Sequence, residues 1–194
     1  MWWYSTIGTL RLPFVSGPSP NILASGKCDS VNIGRSIPKK NVKDAFVTPV
    51  GVLGDEQSAP YIAVWGGHAG FDKAVMLWSS EVMATVNQNG ASFFPGASGE
   101  QLTLSGVDWK KMKTGVRIQV GDQLLLEITY LKGPCKNLDR FFPAPKDKVQ
   151  IDPKKSPDSA RVLAKVLRPG RVSRGDDVKV FQHPEGPQAL RIQA

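Results

Sequence analysis

Two kinds of residue are scarce in this chain of 194 residues, which has 2 cysteines and 2 histidines. Two cysteines make no disulfide framework, and neither a CxxC pair nor a Cys/His cluster at zinc-ligand spacing occurs. A stapled secreted fold and a structural zinc site are therefore excluded, and a reducing compartment, the cytoplasm or an organelle, is expected. No apolar run approaches the ~20 residues that a membrane-spanning helix needs, so no membrane is expected as a partner. Acid is missing from the first 28 residues, where Arg11 and Lys27 are the only bases. Their apolar part is too short and too weakly charged for a clear secretory signal. Residues 1–26 read as a lead-in, either a degenerate organellar presequence or a disordered extension, followed by one domain over 27–181 and a tail over 182–194.

Acid is also short in the C-terminal third. Up to residue 129 the chain has 11 basic and 10 acidic side chains, against 14 and 7 from residue 130 onward, so nearly all of the +8 formal charge lies there. Such a field concentrates anions. Aromatics interleaved with the bases are absent, as is any familiar nucleic-acid module, so a small anionic ligand is expected and nucleic acid is not.

What is abundant is turn chemistry. With 19 Gly, 15 Pro and 41% hydrophobic residues, the composition suits a mainly β domain with short elements better than a helical bundle. Lys27–Ile33 reads as a short strand entering a turn, where Asn32, Arg35 and Ser36 can donate to an oxyanion or form an ordinary polar loop. Val42–Val52 and Tyr61–Trp65 read as strands. The loop 66–73 then presents His68 among glycines, beside Asp72 and Lys73, as a structural or a functional imidazole. Ala74–Trp78 is a buried strand by its continuous apolar run. Ser79 or Ser80 caps a helix with Val82, Met83 and Val86 on one face, which Gly90 ends. The loop 93–100 closes on Glu100, placed to orient a ligand or to bond loop amides.

Val116–Val120, Gly121-Asp122 and Gln123–Leu131 give a strong hairpin signal. That hairpin delivers Cys135, set just past a strand end with Lys132, Lys136 and Arg140 near it in sequence. Cations favour a thiolate over a thiol, which makes a nucleophile or a soft-metal ligand; the alternative is a small hydrophobe packed at a turn. Cys28 has no such surroundings. Residues 143–158 read as a mobile surface loop. Arg161–Leu167 fits strand or helix, and Arg171–Phe181 reads as a second Gly-Asp hairpin.

Several of these segments, in order, resemble the MOSC domain, the module of molybdenum cofactor sulfurase C-terminal regions and of stand-alone bacterial proteins. Gly51-Val-Leu-Gly-Asp55-Glu-Gln57 resembles its G-x-x-G-D-x-Q turn, and His68-Ala-Gly-Phe-Asp72-Lys73-Ala-Val its H-G-G-x-D-K-A-V loop. Gly99-Glu100-Gln101-Leu-Thr103 is similar to G-E-N-L-T, Gly133-Pro134-Cys135 to the R-x-P-C signature, and Gly170–Val180 to the closing G-x-V-x-x-G-D-x-V segment. Ala69, Ser98, Gln101 and Lys132 depart from the pattern; at the last, lysine stands where arginine is usual, so anion geometry is looser.

The resemblance implies a mostly antiparallel, barrel-like β fold with a few short helices. It also implies a cysteine that ligates the molybdenum of a pterin cofactor or carries sulfur as a persulfide. Cys135 and His68 are then the catalytic candidates, with Cys135 the metal ligand. Asn32, Arg35, Asp72, Lys73, Glu100, Lys132 and Lys136 become contacts to the anionic cofactor, and His68 and Glu100 are expected to converge with Cys135. Stand-alone relatives are associated with reduction or detoxification of N-hydroxylated compounds, so a reductase is an expected partner. On the alternative, a persulfide carrier, the partner is a cysteine desulfurase whose pyridoxal phosphate is not expected in this chain. A third class is a non-enzymatic anion-binding module.

Overall fold

The computed structural model describes residues 21–56 and 70–182. The strand expected over Tyr61–Trp65 and the loop carrying His68 lie outside the described residues.

Among the described residues eleven strands form two sheets: β1 (Ile22–Ile33), β2 (Lys40–Val42), β3 (Asp44–Thr48), β4 (Gly51–Val52), β5 (Val75–Ser79), β6 (Leu102–Ser105), β7 (Arg117–Val120), β8 (Leu124–Lys132), β9 (Arg161–Arg168), β10 (Gly170–Ser173) and β11 (Asp177–Phe181). The larger sheet runs β11-β7-β8-β9-β5-β6-β1, and β1 pairs back onto β11, which closes a seven-stranded barrel; β2 extends it from β1. Closure leaves no free edge among these seven strands, so the backbone groups of the wall are paired. The second sheet is β10-β3-β4.

Alternation along the strands fills the barrel. On β8, Leu124, Leu126 and Ile128 are buried, and they meet Leu77, Trp78, Leu102, Leu104, Ile118, Val162 and Ala164 from the other strands. All barrel pairings are antiparallel except β5 with β6. That exception follows from the helix between them, α1 (Ser80–Gln88): parallel neighbours need a crossover, and a helix is the usual one. The Ser79 hydroxyl accepts the amides of Glu81 and Val82 at its start, and Gly90 follows at φ 93°, as the capping pattern predicts.

Three local expectations change, and one reading left open is resolved. β1 begins at Ile22, ahead of the expected Lys27, because residues 22–27 pair with β11. Arg161–Arg168 is a strand, placed between β8 and β5. Residues 143–158 are not a loose loop: short 3-10 turns run Pro145–Ile151 and Pro157–Ser159, and Ile151 is wholly buried. Finally, the second Gly-Asp turn makes no hairpin, since β10 pairs with β3 and β11 with β1 and β7. The Asp176 carboxylate accepts the Ser173 amide, while Gly175 N and Asp176 O bond the backbone of Cys28. The same dipeptide here turns a corner from one sheet to the other.

Closure requires β1 to pass close to the chain that follows β6. A Cβ on Gly26 would lie 2.0 Å from the Ser105 carbonyl oxygen and 2.7 Å from Val107 Cγ2, and backbone cannot yield as a flexible side chain can. Gly26→Ala is expected to destabilise the fold by about 3 kcal/mol, at the upper end of ordinary overpacking, read from the urea-unfolding midpoint.

Candidate active site around Cys135

Cys135 caps a 3-10 turn over Lys136–Phe141, and its side chain makes no capping hydrogen bond. The residue is half-buried. The far end of the turn is anchored: Leu138, Phe141 and Phe142 are buried. Phe93 packs on Phe141 and Phe142 at 5.2 and 5.0 Å between ring centroids and meets Trp78 edge-on at 5.0 Å. An apolar clamp on one side thus presents a reachable thiol on the other.

The second part of the site comes from the paired ends of β8 and β9. Lys132, the last residue of β8, stands directly opposite Arg161, the first of β9. Arg161 is 1% exposed; its Nη1 donates to Ser98 O at 2.8 Å and its Nη2 to Gly133 O at 2.5 Å. Its Nε, also buried, has no hydrogen-bond partner among the described residues. Burial pushes the guanidinium down to about 10, while Cys135 and Glu100 pull the other way, so it remains a cation at neutral pH. The Lys132 ammonium is also lowered, first by burial, then by Arg161, with Cys135 opposing and Lys73 adding to the fall. Neither Lys132 nor Arg161 forms an ion pair among the described residues.

Lys73 arrives on the 3-10 turn Phe71–Lys73, with its ammonium 5.3 Å from the centre of the Tyr130 ring. The Thr129 hydroxyl donates to the Asp72 carbonyl, which ties this turn to β8. Asp72 therefore meets the site through its backbone, and its residue is exposed.

Glu100 lies one layer behind. It is wholly buried, and its carboxylate accepts from Gly96 N at 2.6 Å, Ser98 Oγ at 2.6 Å, Ser98 N at 3.1 Å and Thr103 Oγ1 at 3.1 Å. Burial raises this carboxyl above its ordinary value, and the Ser98 hydroxyl, the Gly96 amide, its own backbone amide and the Thr103 hydroxyl pull it back. Asn32 is buried beside it: both donors of its amide are used, on Glu100 O at 3.2 Å and Thr103 Oγ1 at 3.1 Å, and its oxygen accepts from Ser30 and Asn41. Asn32 and Glu100 thus spend their hydrogen bonds inside the protein. Arg35 is exposed and pairs with Glu56 at 3.5 Å, and Lys136 is exposed on the cysteine's own turn.

Cys135, Lys132 and Lys73 are brought together, with Glu100 joined to them through Arg161. Sequence reasoning missed Arg161, whose one signal was a lone arginine heading the apolar run Val162-Leu163-Ala164. It also missed the fully buried pair of Lys39 and Asp55, 2.5 Å apart. Cys28 is wholly buried, and burial, then Asp176 and Asp29, push its thiol up to about 12; it belongs to the core.

Two measurements check this arrangement. Since every neighbour of the Glu100 carboxylate donates, Glu100→Gln turns an NH2 toward at least one donor and should lower stability by about 1–3 kcal/mol, read from thermal melts at neutral pH. In native protein, iodoacetamide should label Cys135 and spare Cys28 until denaturant is added, as peptide mass spectrometry can show.

The comparisons with known proteins agree with this architecture. The crystal structure of the YuaD protein from Bacillus subtilis superposes with a TM-score of 0.62 at 19% identity, covering 82% of this chain and 97% of that one. YiiM from Geobacillus stearothermophilus gives 0.59 at 22%, covering 83% and 77%, and YiiM from Escherichia coli 0.58 at 19%, covering 81% and 70%. A curated protein named reductase from Gibberella moniliformis (strain M3125 / FGSC 7600) is 25% identical over 145 residues, which is 72% of this chain. The chain spans about a quarter of that relative's length, 24%. The MOSC domain model matches residues 66–179, more than half of the chain and the whole stretch from Lys73 to Arg161 that builds the site. By that match the chain belongs to the MOSC domain family.

Proposed function

We propose that this chain holds a molybdenum cofactor on the Cys135 thiolate and takes part in the reduction of N-hydroxylated compounds. One observation carries the reading: a half-buried thiol stands beside Lys132 and Arg161, cations that have no carboxylate ion pair among the described residues. The residues present fit such a group. Thiolate is a soft donor suited to molybdenum, ammonium and guanidinium suit the anionic phosphate of a pterin, and the buried Arg161 Nε–H has no partner among the described residues.

When bound, the cofactor would supply two-electron redox chemistry at its metal. The protein's own part is binding and orientation. Cys135 would hold the metal, Lys132 and Lys73 would neutralise negative charge, and the aromatic clamp under Phe141 would keep the thiol in place. The redox direction is supported by the name of the fungal reductase. No helix among the described residues is long and apolar enough to cross a membrane.

Metal analysis of protein purified from a cofactor-producing host tests the reading. Wild-type protein should contain close to stoichiometric molybdenum, and Cys135→Ser should drop it to background with an unchanged melt, because a serine hydroxyl stays protonated and is a poor soft-metal ligand. Cys28→Ser should show the opposite pattern, retaining metal while losing about 1–3 kcal/mol of stability for its buried hydroxyl. Cyanide-labile sulfur without metal would instead assign Cys135 a persulfide, and full metal in Cys135→Ser would overturn the central role of the thiol.

A further inference from the structure

We infer that the basic turns around Cys135 form a docking face for an acidic electron-carrier protein, with Lys136, Lys146, Lys154 and Lys155 as its contacts, a conclusion that rests on the reading of Cys135 as the centre of a reductive site.

Residues 132–160 hold 7 lysines and arginines against 4 aspartates. Three of those acids are already committed within the protein: Asp139 pairs with Lys148, the Asp147 carboxylate accepts the Ala144 amide at 3.1 Å, and that of Asp152 accepts the Lys154 amide at 2.9 Å. Lys136, Arg140, Lys146, Lys154 and Lys155 are exposed and form no ion pair among the described residues. The cations assigned to the cofactor, Lys73, Lys132 and Arg161, are half-buried or sealed, so these five form an outer layer around them.

Short turns give that layer a stiff base. The Asp139–Lys148 pair ties the turn Pro145–Ile151 to the cysteine turn, and Ile151 is wholly buried beneath it. Ser156 closes the next bend, its hydroxyl donating to Val149 O at 2.9 Å and its amide to Asp152 O at 2.7 Å. Pro153 stands beside Gly133, two residues ahead of Cys135: a Cβ on that glycine would lie 3.6 Å from Pro153 Cδ. Lys154 and Lys155 thus follow directly from a residue that borders the approach to the thiol. Exposed charge of one sign around a site steers an oppositely charged partner to it and fixes its orientation.

The kind of partner follows from what the face lacks. The rings within residues 132–160, Phe141 and Phe142, are both buried, so the bases of a nucleic acid find no stacking platform. No α-helix lies in this stretch, neither one to enter a major groove nor an amphipathic one to lie in a membrane surface, and Val149 is its one exposed large apolar side chain. Pairing with carboxylates on a protein is what the face can offer. Electrons give that protein its chemistry. Converting N–OH to N–H takes two electrons and two protons: the N–O bond breaks, the oxygen leaves as water and nitrogen takes up a proton. Of the 2 cysteines, Cys28 is sealed in the core, and one remaining thiol is too few for an iron–sulfur relay within this chain. A reduced one-electron carrier docked over the basic turns would supply the pair in two encounters and leave oxidised.

Two acidic carriers serve as probes, a plant-type [2Fe–2S] ferredoxin and a flavodoxin. The full chain is compared with Lys146→Glu/Lys154→Glu/Lys155→Glu and with Lys43→Glu/Arg174→Glu/Lys179→Glu. The second variant reverses the same number of exposed charges near the turn between β7 and β8, at the other end of β8 from Cys135. Binding is read by titration calorimetry, contacts by carbodiimide cross-links located by mass spectrometry, and folding by circular dichroism. Wild type is expected to bind at least one carrier, and to bind it more weakly as added salt shortens the Debye length from about 30 Å to about 8 Å. The first variant should lose about tenfold in affinity and the second stay within about twofold, with cross-links on Lys136, Lys146, Lys154 and Lys155. No binding to either carrier overturns the inference, as does equal weakening in the two variants. So does tighter binding of a DNA duplex or of phosphatidylserine vesicles that the first variant abolishes. If the first variant does not fold, the wild-type cross-links decide, and their absence from these four lysines has the same force. No readout uses molybdenum, so a failure of docking leaves the metal-binding reading standing, and protein that docks a carrier yet holds no metal fails that reading alone.

Discussion

A carboxylate sealed from water is tolerated only where donors surround it, and Glu100 imposes that condition on one end of the barrel. Its four donors come from Gly96, Ser98 and Thr103, so satisfying the carboxylate fixes the path of the loop ahead of it. Once that loop is fixed, the Ser98 carbonyl has one place to be, and Arg161 receives it there. The same guanidinium receives Gly133 O. The position of Cys135 therefore traces back, through two carbonyls and one arginine, to the buried Glu100 carboxyl. A parallel network braces the loop from the other side. Asp55 accepts from Lys39 Nζ at 2.5 Å, Gly34 N at 3.0 Å and Gln101 Nε2 at 2.6 Å, while Lys39 N donates to Gly96 O at 2.9 Å. Burial lowers the Lys39 ammonium and Asp55 pulls it back up, as expected of a buried pair in which each charge depends on the other.

The barrel makes these networks stiff. Strand ends are where a closed sheet stops supplying backbone partners, so side chains and loop amides have to take over. Here Lys132 and Arg161 terminate a long antiparallel pair, β8 with β9, whose register bends at two irregularities before it reaches them. Two indoles pin the residues just before Arg161, and the rings of Phe93, Phe141 and Phe142 pin the turn just after Cys135. The candidate site thus stands on the rim of the barrel wall, with apolar packing holding the segments on either side of Cys135.

How much of this was legible follows the range of each signal. The β7–β8 hairpin was readable because Gly121-Asp122 joins two β-rich runs next to each other, and the place of Cys135 just past the end of β8 followed from it. The α1 cap and the buried β5 strand were readable for the same reason. Gly175-Asp176 misled because a turn type says that the chain reverses, while the identity of the next partner strand depends on the barrel: β11 is required to close against β1, and β10 is left for β3. Residues 22–27 look like loop until β11 pairs with them. Arg161 was illegible for a sharper reason. A strand reading of Arg161–Leu167 offers a lone arginine the solvent as its default surroundings, and only the pairing with Lys132 and the return of the chain through residues 95–101 reveal that the side chain is enclosed.

The distribution of cation types around the thiol has its own logic. An ammonium gives up its charge readily when water is removed, whereas a guanidinium keeps it. In keeping with that, lysines occupy the half-buried positions 73 and 132 and arginine the sealed one at 161. Burial lowers the Arg161 guanidinium, and Cys135 and Glu100 both oppose that fall. Lys132 and Lys73 are not answered by any carboxylate ion pair among the described residues. The guanidinium is thus engaged with the Ser98 and Gly133 carbonyls inside the protein, while the two ammonium groups stand half-buried at the rim. Burial, then Arg161, and with them Lys73, lower the Lys132 ammonium, with Cys135 opposing, so cations crowd the end of β8.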